Sequence, residues 1–385
     1  MADAALAEAE ELDAKDPLGG YRDRFVVADP DTIYLDGNSL GRLPVATRQR
    51  LRVAVDEEWG RDLIRGWSAW IDLARRTGDV LAEIVGAQPG EVILSDSTSV
   101  NLYKLASAAL TARPGRPVIV TDDDNFPTDR YVLAGLGPVR TVPSDLDGGV
   151  EAGAVARALG DDVGLVSLSH VAYRSGAIAD LPGITAAAHE AGALVLWDLC
   201  HSAGAVPVGL GDAGADLAVG CTYKHLNAGP GAPAFLYVRR DLQPVLRQPI
   251  QGWFGQFDQF GMGPVYVPVD TIERFVVGTP PVLGGYAALE GALLSAEAGV
   301  EAIAAKGRAL GRYLIRLSDE WLEPLGFRLA SPRDDARRGA HVTLYHARAW
   351  QVVRHDVGDR REQRSQQPWQ THQWRLHVEV RQRLA

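Results

Sequence analysis

Lys224 lies in CTYKHLNAGPG, directly after an apolar run. A lysine at such a strand end, beside Tyr223 and a glycine-containing turn, is suited to forming an imine with an aldehyde cofactor. The imine needs a neutral amine, and partial burial lowers a lysine pKa toward that state. A solvated loop lysine is the ordinary alternative, so the surroundings must decide. Asp198 closes the apolar run ALVLWD. A carboxylate ending a buried strand needs a cationic partner. An arginine could be that partner. So could the protonated ring nitrogen of pyridoxal 5'-phosphate, an ion pair that keeps the ring an electron sink for carbanion chemistry.

Other residues gather in the same order along the chain. His201 follows Asp198 by three positions, and Ser169 ends VSLS. Each is a candidate polar contact, and each could equally be a satisfied core residue. Thr98 and Ser99 stand where a helix should begin. Their hydroxyls and the free N–H groups there favour a phosphate dianion, although such residues also serve as ordinary caps. NFPTD places Phe126 to stack on a ring and Asp129 to contact its substituents, or makes only a turn at Pro127. The strand-ending Asp, the later Lys, the hydroxyl-rich helix start and the aromatic together have the order of a fold-type I pyridoxal-phosphate enzyme.

The elements that must position these residues alternate regularly. PVIVTD, VRTV, VGLVSLS, ALVLWD and LAVG read as nearly continuous apolar strands, with ITAAAHEAG helical between two of them. Such strands imply a parallel α/β sheet covered by helices, with ligands at the strand ends; the resemblance to fold-type I enzymes adds the expectation of a mainly parallel, seven-stranded-type sheet. GAPAFLYVRR reads as a further, hairpin-linked strand. An N-terminal helix over about 4–15, a short strand at YLD, and a long helix from about Thr47 carrying Val53, Trp59 and Leu63 precede the sheet. Helical pattern runs from Gly284 through Leu317, and LGFRLASP with GAHVTLYH suggests a smaller α+β domain. The expected organisation is an N-terminal segment over 1–60, a large cofactor domain over 61–280, a small domain over 281–350 and an atypical Arg- and Gln-rich tail over 351–385, poor in buried apolar surface and expected to be poorly ordered.

Composition bounds the partners. The 385 residues carry a net charge of −10, which disfavours nucleic acid and anionic lipid. The apolar stretches are too short to cross a bilayer. The acidic, alanine-rich start lacks the features of a signal peptide. Two cysteines, Cys200 and Cys221, supply neither a disulfide framework nor a metal site, which fits a cytoplasmic protein that binds no metal.

Taken together, YLDGNSLG, STSVNLYKL, NFPTDRY, VLWDLCHSAGA, CTYKHLNAGPG, GWFG and GTPP resemble the kynureninase family over about 34–350. The resemblance implies hydrolysis of L-kynurenine, or of its 3-hydroxy form, to anthranilate or 3-hydroxyanthranilate and L-alanine in tryptophan catabolism. It implies that Lys224 holds the cofactor and removes the substrate α-proton, that Asp198 pairs with the ring nitrogen, and that His201 contacts the cofactor. Tyr223 would bind phosphate and donate a proton to the alanyl fragment. Thr98 and Ser99 would meet the phosphate or ring, Phe126 would stack, and Asp129 and Ser169 would add polar contacts. Trp253 and Thr279 would reach the cofactor across a homodimer interface, while Ser39 and Trp67 would meet substrate. Trp67 and Thr279 match members that prefer unhydroxylated kynurenine.

The family pattern ends near Gln351. Kynureninases carry a late arginine that clamps the substrate carboxylate, and it has no counterpart here; Arg375 lacks the surrounding motif. A bidentate arginine contact is a strong orienting interaction. A catalytically impaired cofactor-binding member is therefore one alternative. Another fold-type I enzyme, such as a cysteine desulfurase or class V aminotransferase, is a second, although Cys200 and Cys221 stand on strand ends and not on a long mobile loop.

Overall fold

The computed structural model describes residues 2–30, 32–349, 351–352 and 375–379. Its centre is a seven-stranded sheet. The strands are β1 (Val92–Leu94), β2 (Val118–Asp122), β3 (Val139–Val142), β6 (Val163–Ser169), β7 (Leu194–Asp198), β8 (Leu217–Gly220) and β9 (Phe235–Val238). A two-stranded hairpin, β4 (Ser144–Asp145) with β5 (Gly149–Val150), lies between β3 and β6 in the chain. The spatial order is β1-β9-β8-β7-β6-β2-β3. From β8 to β3 all pairings are parallel, and β9 runs antiparallel to both β8 and β1.

β1, β7, β8 and β9 are buried along their full length. Helices cover the sheet, as continuous apolar strands require. Burying each Val or Leu side chain contributes about 1.5–3 kcal/mol, so this layer dominates the core. Because its central strands run the same way, their carboxyl ends come out on one edge, where polar residues collect.

A smaller sheet joins β10 (Arg328–Leu329), β11 (His341–Tyr345) and β12 (Arg375–Glu379), all antiparallel. It packs on the helix Val300–Leu317 through Leu314, Ile315, Val342 and Leu344. The N-terminal helix Ala2–Ala14 reaches the same helix, where Tyr313 donates to the Ala5 carbonyl and Arg316 pairs with Glu8. Lys306, also on that helix, pairs with Asp16.

Three local expectations change. The segment read as a strand at YLD is irregular. The long helix from Thr47 is broken: Val45–Val53 is α-helical, a π turn follows over Ala54–Trp59, and a 3-10 turn covers Leu63–Gly66. Val53, Trp59 and Leu63 are exposed there, not packed in the core. The helical stretch after Gly284 is two helices, Val282–Ala298 and Val300–Leu317, parted by Gly299 at φ 77°. That conformation is available to glycine at little cost. Within the 351–385 tail, 375–379 adds a strand to the small sheet; the rest of the expected disordered stretch, 353–374 and 380–385, lies outside the described residues.

Candidate active site

The parallel edge converges on a cavity of about 90 Å³ lined by Thr98, Ser99, Phe126, Asp129, Ser169, Tyr173, Asp198, Cys200, His201, Tyr223 and Lys224. Asp198 is the last residue of β7 and Ser169 the last of β6. Their register is direct, Ser169 opposite Asp198, so two adjacent strands deliver both polar side chains to one level. Thr98 and Ser99 open the helix Thr98–Thr111, whose N-cap Ser97 accepts from the Val100 N–H. Phe126 precedes the helix Pro127–Ala134, and Asp129 sits in that helix's first turn.

The Lys224 loop is fastened at several points. Thr222 Oγ1 donates to the Pro233 carbonyl at 2.6 Å, and the Asn227 N–H donates to the Lys224 carbonyl at 3.0 Å. Asn227 itself adopts φ 56°, an uncommon conformation for a residue with a Cβ. The segment carrying Asn38 and Ser39 lies on this loop, with the Gly41 N–H donating to the Tyr223 carbonyl at 2.9 Å. A Cβ on Gly41 would collide with the Lys224 carbonyl and the Asn227 backbone. Glycine permits that close approach.

Charges crowd the cavity floor. Asp198 accepts from the Cys200 N–H at 2.8 Å. Asp129 is 3% exposed and Asp198 7%. Burial and the adjoining Asp198 carboxylate push the Asp129 carboxyl up to about 8, because two like charges cannot share a low-dielectric site cheaply. Lys224 Nζ lies 2.9 Å from His201 Nε2. Burial disfavours the Lys224 ammonium, but the acidic groups Cys200, Cys221, Tyr223 and Asp198 outweigh it and hold its pKa above the ordinary lysine value. The expectation that burial alone would favour the neutral amine is therefore corrected: without a cofactor, Lys224 must hand a proton away before it can attack a carbonyl. Burial also raises the Tyr223 phenol.

Nine residues inferred from sequence thus line one cavity: Thr98, Ser99, Phe126, Asp129, Ser169, Asp198, His201, Tyr223 and Lys224. Ser39, Trp67, Trp253 and Thr279 do not line it. Trp67 and Trp253 meet edge-on at 6.3 Å and belong to an aromatic group with Phe254. Ser39 and Thr279 are exposed. Tyr173 is a wall residue that the sequence did not single out. It stands edge-on to Phe126 at 5.3 Å, and its place four residues after the end of β6 was the available signal. Asn125 was also missed; its Oδ1 accepts from Ser169 Oγ at 2.8 Å and fixes that hydroxyl.

The model of the class-V aminotransferase family matches residues 68–349. The chain is 42% identical to a kynureninase of Pseudomonas fluorescens over 371 residues, covering 92% of this chain and 87% of the relative. It is 44% identical to a kynureninase of Deinococcus radiodurans over 362 residues, 90% and 86% of the two chains. The chain belongs to the kynureninase family. Kynureninases are pyridoxal-phosphate enzymes that hydrolyse a carbon–carbon bond beside a ketone, and this chain is an enzyme of that kind. Among solved structures, a cysteine desulfurase from Thermococcus onnurineus superimposes with a TM-score of 0.72 at 20% identity, covering 84% of this chain and 83% of that one. The likeness shows the shared α/β fold.

Proposed function

We propose that Lys224, Asp198 and Tyr223 carry out the hydrolysis of L-kynurenine to anthranilate and L-alanine in this chain, with the other cavity residues holding the cofactor. The observation that supports this is the shared cavity of the Lys224 amine and the Asp198 carboxylate. The residues present fit pyridoxal phosphate on physical grounds. Two buried carboxylates, Asp129 and Asp198, face each other at the cost of holding one protonated. A ring cation against Asp198 relieves that conflict. The first turn of the Thr98 helix offers free N–H groups and two hydroxyls to a phosphate.

Bound pyridoxal phosphate supplies an aldehyde carbon for an amine and a protonated ring that draws electrons from the substrate α-carbon. The chain supplies the rest. Asp198 would keep the ring protonated, and Phe126 would stack on it. Ser169, steadied by Asn125, and Asp129 would contact the ring's substituents. Lys224 Nζ takes the substrate α-proton, with His201 Nε2 as the neighbour that shares it. The Tyr223 hydroxyl contributes to the phosphate site and gives a proton to the alanyl carbon as the bond to the ketone carbon breaks. Water supplies the hydroxyl that leaves with anthranilate.

Substrate recognition falls to Ser39 and Trp67, and Trp253 and Thr279 complete the cofactor site from the second subunit of a homodimer. Ile33, Trp59, Leu63, Ile64, Phe257, Phe260 and Met262 are all exposed, apolar surface that a second subunit would cover. Trp67 and Thr279 offer no charged or amide partner for a ring hydroxyl, which favours unhydroxylated kynurenine. The domain division at about 60, 280 and 350 and a cytoplasmic location complete the reading; both cysteines are free thiols. Addition of L-kynurenine to the cofactor-loaded protein should release fluorescent anthranilate. Cofactor uptake without product would favour an impaired family member.

A further inference from the structure

Lys104 has no part in the steps above, although it belongs to the helix whose first turn we assign to the phosphate. It is 0% exposed, and a buried ammonium is costly unless its hydrogens find acceptors. Here each does. Nζ donates to Ser95 Oγ at 3.0 Å, to Asp96 Oδ2 at 2.6 Å and to the Phe275 carbonyl at 2.7 Å. Ser95 Oγ spends its own hydrogen on Asp96 Oδ2 at 2.8 Å. Three acceptors call for three N–H donors, so the amine is held as the ammonium.

The partners play different parts. Phe275 is fully buried and closes the turn Ile272–Phe275, a fixed anchor in the core. Ser95 and Asp96 form the link between β1 and the helix Thr98–Thr111. Asp96 holds φ 42°, a left-handed conformation that is uncommon for a residue with a Cβ. The link is pinned on its other side, where the Ser95 N–H donates to the Ala234 carbonyl and the Ala234 N–H to the Asp96 carbonyl, both at 2.8 Å. Ser97, the next residue, is the N-cap, and Thr98 and Ser99 follow it into the cavity wall. A rotation about Asp96 would therefore re-aim both hydroxyls and the free N–H groups of that first turn.

We propose that Lys104 is a positioning residue for the cofactor phosphate: braced on the Phe275 carbonyl, it holds the Asp96 turn in the conformation that aims Thr98, Ser99 and their N–H groups at the cavity. It touches neither cofactor nor substrate itself. Stability alone does not call for a charge here, since a well-packed apolar side chain of similar volume commonly serves a fold as well. A cation reaching back to the start of its own helix also opposes the helix dipole, and Asp96 offsets it. What the ammonium adds over an apolar side chain is direction, three fixed bonds that converge on the turn. The inference rests on the phosphate site proposed above.

Lys104→Met keeps an unbranched apolar stem and removes the charge. Equilibrium dialysis against pyridoxal phosphate, and against pyridoxal, which lacks the phosphate, separates the phosphate site from the rest of the cavity. The variant should bind pyridoxal phosphate about tenfold more weakly, the scale of one lost hydrogen bond to a charged group, and should bind pyridoxal as the wild type does. The phosphorus resonance of its bound cofactor should move toward that of free pyridoxal phosphate. Asp96→Asn, at a half-buried position where asparagine tolerates the left-handed backbone, should reduce the same preference by a smaller factor, and it carries the test if the methionine variant does not fold. Equal weakening of both ligands, or an unchanged preference in a folded variant that melts at a lower temperature, would overturn the proposal and leave Lys104 a structural residue. A wild type with no preference for pyridoxal phosphate over pyridoxal would instead overturn the phosphate site, so the two fail separately.

Discussion

The cavity and the aromatic region around Trp67 and Trp253 are built in opposite ways. Each wall residue of the cavity comes from a strand end, a helix start or a fastened loop of a single chain, and most of these side chains are buried or half-buried. The aromatic region is made of short turns, with Trp253 edge-on to Trp67, to the buried Phe254 and to the exposed Phe260. The contrast separates two tasks. Holding a charged cofactor needs fixed dipoles in a dry site, which a sheet edge delivers. Recognising the substrate's aromatic end is left to surfaces that, in the dimer we propose, a second subunit completes.

Substitutions can break this division, and the largest effect belongs to the cavity. Lys224→Ala should lower turnover by at least about 10³-fold, because it removes both the amine that links the cofactor and the base; anthranilate release measures it. Asp198→Asn keeps the shape but removes the charge opposite the ring nitrogen, and should lower kcat by about 10²-fold or more. The absorbance of the bound cofactor should shift in the same variant.

Asp129→Asn should lower turnover less, since Asp129 meets the ring's substituents and not its charged nitrogen; in the cofactor-free protein near neutral pH its carboxyl, pushed up to about 8, is already protonated. Its effect should show in the stability of the cofactor-free protein. A carboxyl raised in the fold contributes stability that is fully present below its unfolded value, about 4, and is lost as pH rises toward about 8. Melting temperature should therefore fall across that window in the wild type and fall less in Asp129→Asn. The smallest effect falls outside the cavity. Trp253→Ala should weaken the retention of pyridoxal phosphate by about tenfold, the scale of one lost aromatic contact, and leave the Lys224 link intact. Mixing Lys224→Ala and Trp253→Ala chains should restore activity if sites are shared between subunits, and should not if each chain works alone.

Strands and motifs made the cavity legible in the sequence. Apolar runs ending in a polar residue place Ser169 and Asp198 without knowledge of the fold, because a buried parallel strand can show its polar side chains only at its end. Hydroxyls at a helix start did the same for Thr98 and Ser99. What could not be read depended on contacts distant in sequence. The direction of the Lys224 shift is set by the acids that β7 and β8 bring beside it, and no local pattern encodes that sum. Tyr173 lies in a loop whose path only the packing against Phe126 defines. The helix after Thr47 was expected to be continuous, but Trp59 and Leu63 find no core to pack against in one chain, and tertiary context decides such positions. The Arg/Gln-rich tail gave no sign that 375–379 would pair with β11, since strand pairing across a long separation leaves no local pattern.

Of the four lysines in the chain, Lys224 is the one proposed to hold the cofactor. Its rivals are constrained differently. Lys104 is fully buried and engaged by Asp96, Ser95 and the Phe275 carbonyl. Lys306 is paired with Asp16 and Lys15 with Glu11, both away from the cavity. Borohydride reduction of the pyridoxal-phosphate-loaded protein followed by peptide mapping decides among them. A phosphopyridoxyl group on the Lys224 peptide alone is the expected result. The same group on Lys104, Lys306 or Lys15, or on no lysine, would rule out Lys224 as the residue that holds the cofactor.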